Sequence, residues 1–139
     1  DAHEKQERIQ TDMIWAERFL HEPWEELMHL WDSQEVFCQI KNPFLRQENY
    51  FQRHLLAQIL KDFSLGKQDC LWEQINKINI PLLWISGEMD KKFSLITKEV
   101  CTLNSNISSW ISPKSGHRIP WENPAEFQSR CLGFLNTLL

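Results

Sequence analysis

A short apolar run near the middle of the chain is the feature that most constrains its fold. Residues 80–85, Ile-Pro-Leu-Leu-Trp-Ile, are followed directly by Ser86 and Gly87. A continuous apolar run of this length, ending in turn residues, is typical of a central parallel strand that is buried on both faces. Pro81 fits such a strand only near its start, because proline cannot donate to the strand ladder. The sequence therefore predicts a strand over 80–85 within an α/β fold.

The residues before this strand have helical periodicity. Spacings of four, three and four place one apolar stripe on a single helix face, formed by Ile9, Met13, Ala16 and Leu20. Pro23 ends this helix and can begin the next, which runs through Trp24 and Trp31. We expect two amphipathic helices here.

Further helices are predicted before the apolar run. One extends from Pro43 to Phe63, with Gly66 as its terminator, and a short one extends from Leu71 to Ile75. With no convincing strand in this part of the chain, residues 1–78 are expected to be helical.

Residues 79–139 read as strand, helix, strand, helix, which is the pattern of a parallel crossover. A helix is predicted near Leu95 to Leu103, a second strand from Ile107 to Ile111, and a final helix after a loop. Asn123, Pro124 and Glu126 form a variant of the capping box at the start of that helix. Its buried stripe should be Phe127, Cys131, Phe134, Leu135 and Leu138.

Two strands cannot make a stable open sheet with both faces covered. We therefore expect these strands to pair with strands elsewhere, or the sheet to be completed by association with a second copy.

Composition and charge exclude several classes of function. The chain of 139 residues has 15 basic and 19 acidic residues and a net charge of −4, so a nucleic-acid partner is not expected. No apolar run is long enough to span a membrane. Four cysteines without a CxxC pair suggest reduced thiols and a cytoplasmic protein. The histidines lack metal-like spacing, and neither a metal nor a cofactor is expected.

Asp90 and His117 are the residues best placed for chemistry. Each follows a predicted strand, and ligands of open α/β sheets bind at the carboxyl ends of the strands. A carboxylate there can accept the imidazole N–H and fix the tautomer. The alternative is that Asp90 caps the following helix and His117 is a surface loop residue.

The letters around these residues resemble the C-terminal portion of an α/β-hydrolase. The strand-Gly-x-x-Asp segment from Leu82 to Asp90, then Gly116-His117, then the run 122–124 (Glu-Asn-Pro), is similar to the acid and histidine motifs of that fold. In that fold the order is serine, acid, histidine. No Gly-x-Ser-x-Gly occurs in this chain, so the resemblance covers the acid and histidine but not the nucleophile half.

The first helix narrows the resemblance to one family. Residues 6–12 (Gln-Glu-Arg-Ile-Gln-Thr-Asp), 15–20 (Trp-Ala-Glu-Arg-Phe-Leu) and 87–93 (Gly-Glu-Met-Asp-Lys-Lys-Phe) are similar to 2-succinyl-6-hydroxy-2,4-cyclohexadiene-1-carboxylate synthase. The resemblance implies a lyase that eliminates pyruvate in menaquinone and phylloquinone (vitamin K) biosynthesis, acting on a small-molecule carboxylate. It also implies that residues 1–78 are a helical cap or lid region and that residues 79–139 are the C-terminal part of the α/β-hydrolase core, whose sheet would pair with the missing N-terminal half.

The same resemblance implies roles for individual residues. Asp90 would orient His117, which would activate a serine from the absent half. Arg8 and Arg46 would hold substrate carboxylates, for which the guanidinium fork is well shaped. Trp31 would line an aromatic pocket.

Each cap assignment has a structural alternative. Arg8 can be a solvated helix residue paired with Glu4. Arg53 competes with Arg46 for the second carboxylate site. Trp31 can instead pack in the core.

Two other functions remain open on the sequence. One is an esterase or C–C bond hydrolase of the same fold, and the other is an inactive fragment or helical binding module. The arginine pair favours the lyase, since an esterase for apolar substrates has no need of guanidinium groups in its cap.

Overall fold

The chain folds into two compact units, as seen in a computed structural model that describes residues 1–37, 40, 42 and 44–139. The first unit comprises Asp1–Ser33 and Phe44–Cys70, and the second comprises Gln34–Pro43 and Leu71–Leu139. Helices alone make up the first unit, while the second contains a small sheet. The cap function expected of residues 1–78 stays a prediction.

The elements of the first unit are α1 (Ala2–His21), α2 (Trp24–Asp32), a 3-10 turn (Glu48–Tyr50), α3 (Arg53–Asp62) and a second 3-10 turn (Leu65–Lys67). Helix α1 begins with a capping box. The Asp1 carboxylate accepts from the Glu4 amide at 2.9 Å, and the Glu4 carboxylate accepts from the Asp1 amine. The hydrophobic core of the first unit is formed by Ala16, Phe19, Trp24, Leu27 and Ala57.

The buried face of α1 differs from the predicted stripe. The residues buried on this helix are Asp12, Ala16 and Phe19, whereas Met13 is 52% exposed. Phe19 and Met13 lie on opposite sides of Ala16, so burying the larger aromatic ring leaves the methionine outside.

The helix predicted from Pro43 to Phe63 is shorter than expected. Pro43 lies outside the described residues, and the helix α3 begins only at Arg53. Leu45 is 83% exposed, so the stretch before α3 offers no apolar face to bury.

Gly66 does not terminate α3, which has already ended at Asp62. It lies where the chain passes close to α1. A Cβ at this position would be 2.3 Å from the Lys5 carbonyl oxygen, so the small residue is required for contact rather than for helix ending.

The elements of the second unit are α4 (Trp72–Asn76), β1 (Leu82–Gly87), α5 (Lys91–Leu103), β2 (Ile107–Ser112), α6 (Ile119–Glu122) and α7 (Pro124–Asn136). Within the described residues, β1 and β2 form a two-stranded parallel sheet, in register from Leu82 opposite Ile107 to Gly87 opposite Ser112. Helix α5 packs against both strands.

Strand β1 starts two residues later than predicted. Ile80 is 69% exposed, and the ladder opens where the Leu82 amide donates to the Asn106 carbonyl at 3.0 Å. Pro81 has no amide hydrogen to donate, so pairing begins after it. The residues 82–85 are half-buried rather than buried on both faces.

The last helix also departs from expectation. The Asn123 side chain makes no capping bond to the backbone, and its amide instead donates to Ser112 Oγ at 3.2 Å and Glu126 Oε2 at 3.0 Å. The predicted buried stripe of α7 is incomplete, since Leu135 and Leu138 are exposed. Apolar surface therefore remains uncovered on this helix.

No helix within the described ranges combines the length and apolar content that crossing a bilayer requires.

Candidate active site

Asp90 and His117 meet at the carboxyl ends of the two strands. Asp90 follows β1 and His117 follows β2, and the parallel register brings both loops to the same edge of the sheet. His117 Nδ1 lies 2.7 Å from Asp90 Oδ2, which confirms the hydrogen bond expected from the sequence. The Asp90 side chain is 5% exposed and the imidazole is 36% exposed, so the pair has a buried acid and an accessible base.

The two oxygens of Asp90 have different partners. While Oδ2 holds His117, Oδ1 accepts from the Phe93 amide at 3.2 Å in the first turn of α5. The helix-capping alternative for Asp90 is therefore also correct, and the two functions share one carboxylate.

The partner of Nδ1 assigns the tautomer of His117. Because an ionised carboxylate only accepts, Nδ1 carries a proton, and in the neutral imidazole Nε2 is then the nitrogen that has the lone pair. Over the part of the chain that the structure describes, Nε2 makes no hydrogen bond. This nitrogen can therefore take a proton from a nucleophile or substrate placed beside it.

Two aromatic rings flank the imidazole. The Phe93 ring centroid is 5.0 Å from that of His117, and the Phe37 centroid is 5.6 Å away in an edge-on contact. The Arg118 guanidinium lies over the Phe37 ring at 4.2 Å. Phe93 thus packs against the imidazole. Phe37 could not be found from the sequence, because no local pattern links it to the histidine.

Backbone hydrogen bonds join the loops that carry Asp90 and His117. The Glu88 amide donates to the Ser112 carbonyl and the Met89 amide to the Ser115 carbonyl, both at 2.9 Å. In return, the Lys114 amide donates to Glu88 Oε2 at 2.9 Å. The acid and the histidine therefore sit on one connected framework.

Gly87 is required at the point where these loops approach each other most closely. A Cβ there would lie 1.9 Å from the Gly116 carbonyl oxygen and 2.4 Å from that of Ser115. Only glycine allows the histidine loop to pass over the end of β1.

Buried hydroxyl groups support this framework from behind. Thr97 Oγ1 donates to Ser86 Oγ at 2.7 Å, and Ser94 Oγ donates to the Gly87 carbonyl at 2.7 Å. Ser112 Oγ and Ser115 Oγ are 2.8 Å apart. These bonds attach the ends of both strands to the surrounding helix and loop.

The predicted substrate-binding residues lie in the first unit. Arg8 pairs through Nε with Asp12 Oδ2 at 2.9 Å rather than with Glu4. Its side chain is 48% exposed, and its two terminal nitrogens make no hydrogen bond to any described residue. The end of the guanidinium fork is thus open to a carboxylate.

Arg46 and Arg53 differ in how far their guanidinium groups are committed. Arg46 uses Nη2 to bind Asp32. Arg53 uses all three nitrogens, donating to the Phe19 carbonyl, the Glu22 carbonyl and Glu48 Oε1. Arg53 is therefore engaged in holding the end of α1.

Trp31 belongs to an aromatic cluster. Its ring lies edge-on to Trp15 at 5.0 Å and to Phe19 at 5.3 Å between centroids. The core-packing alternative is thus observed, and the ring is still only half-buried.

Among the described residues, no group of three His, Cys, Asp or Glu side chains could hold a metal ion. Cys101 and Cys131 are free thiols.

Comparisons with known proteins agree on one kind of enzyme. No protein-family model matches the chain. It is 29% identical to a 2-succinyl-6-hydroxy-2,4-cyclohexadiene-1-carboxylate synthase of Serratia proteamaculans over 97% of this chain and 52% of that protein. It is 34% identical to a synthase of the same name from Salmonella newport, over 86% of this chain and 47% of that protein.

A solved structure titled MenH from S. aureus covers 99% of this chain with a TM-score of 0.87 and 26% identity, and 54% of that protein is matched. The chain is thus similar to these synthases over most of its length, and it spans about half the length of the relatives it matches. Its fold is the C-terminal portion of an α/β-hydrolase.

Proposed function

We propose that this chain supplies the acid and the histidine of a lyase that eliminates pyruvate, the reaction implied by its resemblance to 2-succinyl-6-hydroxy-2,4-cyclohexadiene-1-carboxylate synthase. The observation that carries the proposal is the 2.7 Å hydrogen bond between Asp90 and His117 at the carboxyl edge of the sheet. Alone, this pair would fit any serine-dependent α/β-hydrolase. The similarity to the named synthases supports the lyase over the other reactions of this fold.

In the proposed mechanism, Asp90 keeps the Nδ1 proton on His117 so that Nε2 is a base. Nε2 takes the proton of a serine hydroxyl, and the serine oxygen removes a proton from a ring carbon of the substrate. The electron pair of the broken C–H bond forms a ring double bond, and the C–O bond to the departing group breaks. That group leaves as the enolate of pyruvate and takes up the proton held on His117 Nε2, so that the serine and the imidazole return to their starting states.

The serine must come from a segment outside this chain. No Gly-x-Ser-x-Gly is present in the sequence, so we propose that the 139-residue chain has no turnover by itself. Pyruvate released by the purified chain, and lost in His117→Ala, would contradict this.

The substrate of such a lyase is a small molecule with several carboxylates, and we propose Arg8 and Arg46 as its anchors. Arg8 has two unused nitrogens and is half exposed. Arg46 is preferred over Arg53, whose three nitrogens already have partners. We propose that Trp31 lines the pocket that these arginines form. We also propose that the reaction takes place in the cytoplasm.

The decisive experiment is a chimera. This chain replaces the matching part of the Serratia proteamaculans synthase, and pyruvate release is followed with the cyclohexene carboxylate substrate. Pyruvate formation that falls about 10³-fold or more in His117→Ala supports the proposal. A folded chimera that hydrolyses simple esters but releases no pyruvate would select the esterase alternative.

The arginines are tested in the same chimera. Arg8→Met and Arg46→Met should raise KM about tenfold or more, the effect of losing one charged hydrogen bond to the substrate. Arg130→Met is the matched control, because Arg130 pairs with Glu126 on an exposed face of α7. An unchanged KM in both cap variants would remove the arginines from the site.

We also propose that the sheet of the second unit is completed by association. Exposed leucines on α5 and α7, including Leu95, Leu132 and Leu135, leave apolar surface uncovered. Sedimentation of the purified chain should show a dimer or larger species. A stable monomer at high concentration that unfolds cooperatively would contradict this.

A further inference from the structure

One carboxylate binds the backbone on both sides of His117. Glu122 Oε2 accepts from the Gly116 amide at 2.5 Å, and Glu122 Oε1 accepts from the Arg118 amide at 3.3 Å. Glu122 ends the short helix α6, five residues after the histidine. The residues on either side of the imidazole are thus held by the same side chain.

We infer that Glu122 is a positioning residue for His117, acting through the backbone of its loop. The direction of a side chain follows from the backbone at its own residue and at its neighbours. Fixing the peptides on both sides therefore limits the directions that the imidazole can take. Glu122 does not touch the imidazole itself, and its importance for catalysis rests on the proposed function.

The bonds made by Glu122 complement those made by Glu88. Glu88 ties the start of the histidine loop to the Asp90 loop through the Lys114 amide, at 2.9 Å. Glu122 ties the end of the loop to α6. Asp90 is itself held by the bond from the Phe93 amide. The conformation of the histidine loop is therefore restricted on both sides of the contact between Asp90 and His117.

Glu126 provides a matched control for Glu122. It lies four residues further along, and its carboxylate accepts from the Asn123 side chain at 3.0 Å and pairs with Arg130. It therefore supports its own helix without a bond to the histidine loop. A glutamine at position 126 removes the same charge as a glutamine at position 122.

The test uses the purified chain with nitrogen-15-labelled histidine. NMR of His117 reports which ring nitrogen carries the proton and how fast that proton exchanges with solvent. In Glu122→Gln the amide group has a single acceptor, so one of the two backbone bonds is lost. We expect the Nδ1 proton to exchange about tenfold faster, as loss of one charge-assisted bond implies. In Glu126→Gln the exchange should match the unsubstituted chain.

A folded Glu122→Gln chain with unchanged tautomer and exchange would overturn the inference. If this variant fails to fold, hydrogen exchange of the unsubstituted chain decides. Slow exchange of the Gly116 and Arg118 amides supports the inference, and exchange at the rate of open loops overturns it.

A kinetic readout separates this inference from the proposed function. In the chimera, Glu122→Gln should lower kcat and leave KM unchanged, because the substrate does not contact Glu122. Should the chimera release no pyruvate at all, the proposed lyase function fails, while the NMR result still tests the positioning role.

Discussion

The two units bury different chemistry. In the first unit the described buried residues are five apolar side chains, with Asp12 and Ser64 as the polar ones. Among the described residues of the second unit, four apolar side chains are buried, namely Val100, Ile107, Trp110 and Ile119. They are outnumbered by the buried polar residues, which are Ser86, Asp90, Thr97, Asn104, Ser112 and Ser115.

Buried apolar side chains and buried polar side chains contribute differently to stability and to the orientation of functional groups. Apolar burial is favourable in proportion to area and has no preferred angle, so it holds helices together without aiming any group. A hydrogen bond contributes modestly but depends on angle, and a buried polar group left without its partner is costly. Buried polar groups therefore predominate in the second unit, where the Asp90 carboxylate and the His117 imidazole keep a fixed relative orientation.

The largest effect should come from the apolar core of the first unit. Leu27 is fully buried, and Leu27→Ala should lower the free energy of unfolding by about 2–5 kcal/mol. Urea unfolding followed by circular dichroism measures this. Leu30→Ala on the same helix, where the side chain is 37% exposed, should cost clearly less. Equal losses would mean that α2 is not packed through Leu27.

A polar contact inside the first unit should come next. Arg53→Lys removes the fork that reaches the Phe19 and Glu22 carbonyls at the end of α1, and should cost about 2 kcal/mol in unfolding free energy. Arg18→Lys alters a looser pair with Glu22, at 3.5 Å, and should change stability by less than about 1 kcal/mol. If the two variants behave alike, Arg53 is available for a substrate after all.

Replacing two glycines of the second unit by alanine should change the stability of the chain in opposite directions. Gly87→Ala places a methyl group against the Gly116 carbonyl and should destabilise the chain by about 1–3 kcal/mol. Gly133→Ala meets nothing within 4 Å on α7 and should stabilise it by about 0.5–1 kcal/mol.

Denaturant unfolding gives both values, and the His117 Nδ1 proton shows whether the loop has moved. If Gly87→Ala changes neither the free energy of unfolding nor the His117 signal, the loops that carry Asp90 and His117 can move apart to accommodate the methyl group.

The smallest effect concerns a surface pair of the first unit. The hydrogen bond from Lys61 to Glu17, at 2.9 Å, and the Lys61 charge hold the pKa of Glu17 below its usual range. Because the pKa is lowered in the folded chain, the pair stabilises it above the unfolded pKa of Glu17. That stabilisation is lost as pH falls through the folded pKa.

NMR titration should show the pKa of Glu17 rising in Lys61→Met, with little change in stability because both side chains of the pair are exposed to solvent. An unaltered titration would mean that the pair does not persist in solution.

Much of the fold followed from periodicity. Helices α1 and α2 and the two parallel strands were all predicted, because apolar spacing reports which face a segment buries. The errors arose where burial depends on partners distant in sequence. Met13 fits the stripe of α1, yet Phe19 competes for the same core. Gly66 looks like a helix terminator, but the approach of α1 decides its role.

The site was predictable to the extent that sheet geometry fixes it. Parallel strands deliver their following loops to one edge, which is why Asp90 and His117 could be paired from sequence. The backbone bonds of Glu122 and the contact of Phe37 with the imidazole depend on loop conformation, which has no periodic signal.

The division of labour within the Asp90 carboxylate makes one nearly isosteric exchange informative. In Asp90→Asn the amide oxygen can still accept from the Phe93 amide, so α5 keeps its start. The amide nitrogen would then face Nδ1 as a donor, and the imidazole would have to accept there and carry its proton on Nε2. The fold would stay intact while the tautomer of His117 is reversed. Nε2 would then donate a hydrogen bond instead of accepting a proton.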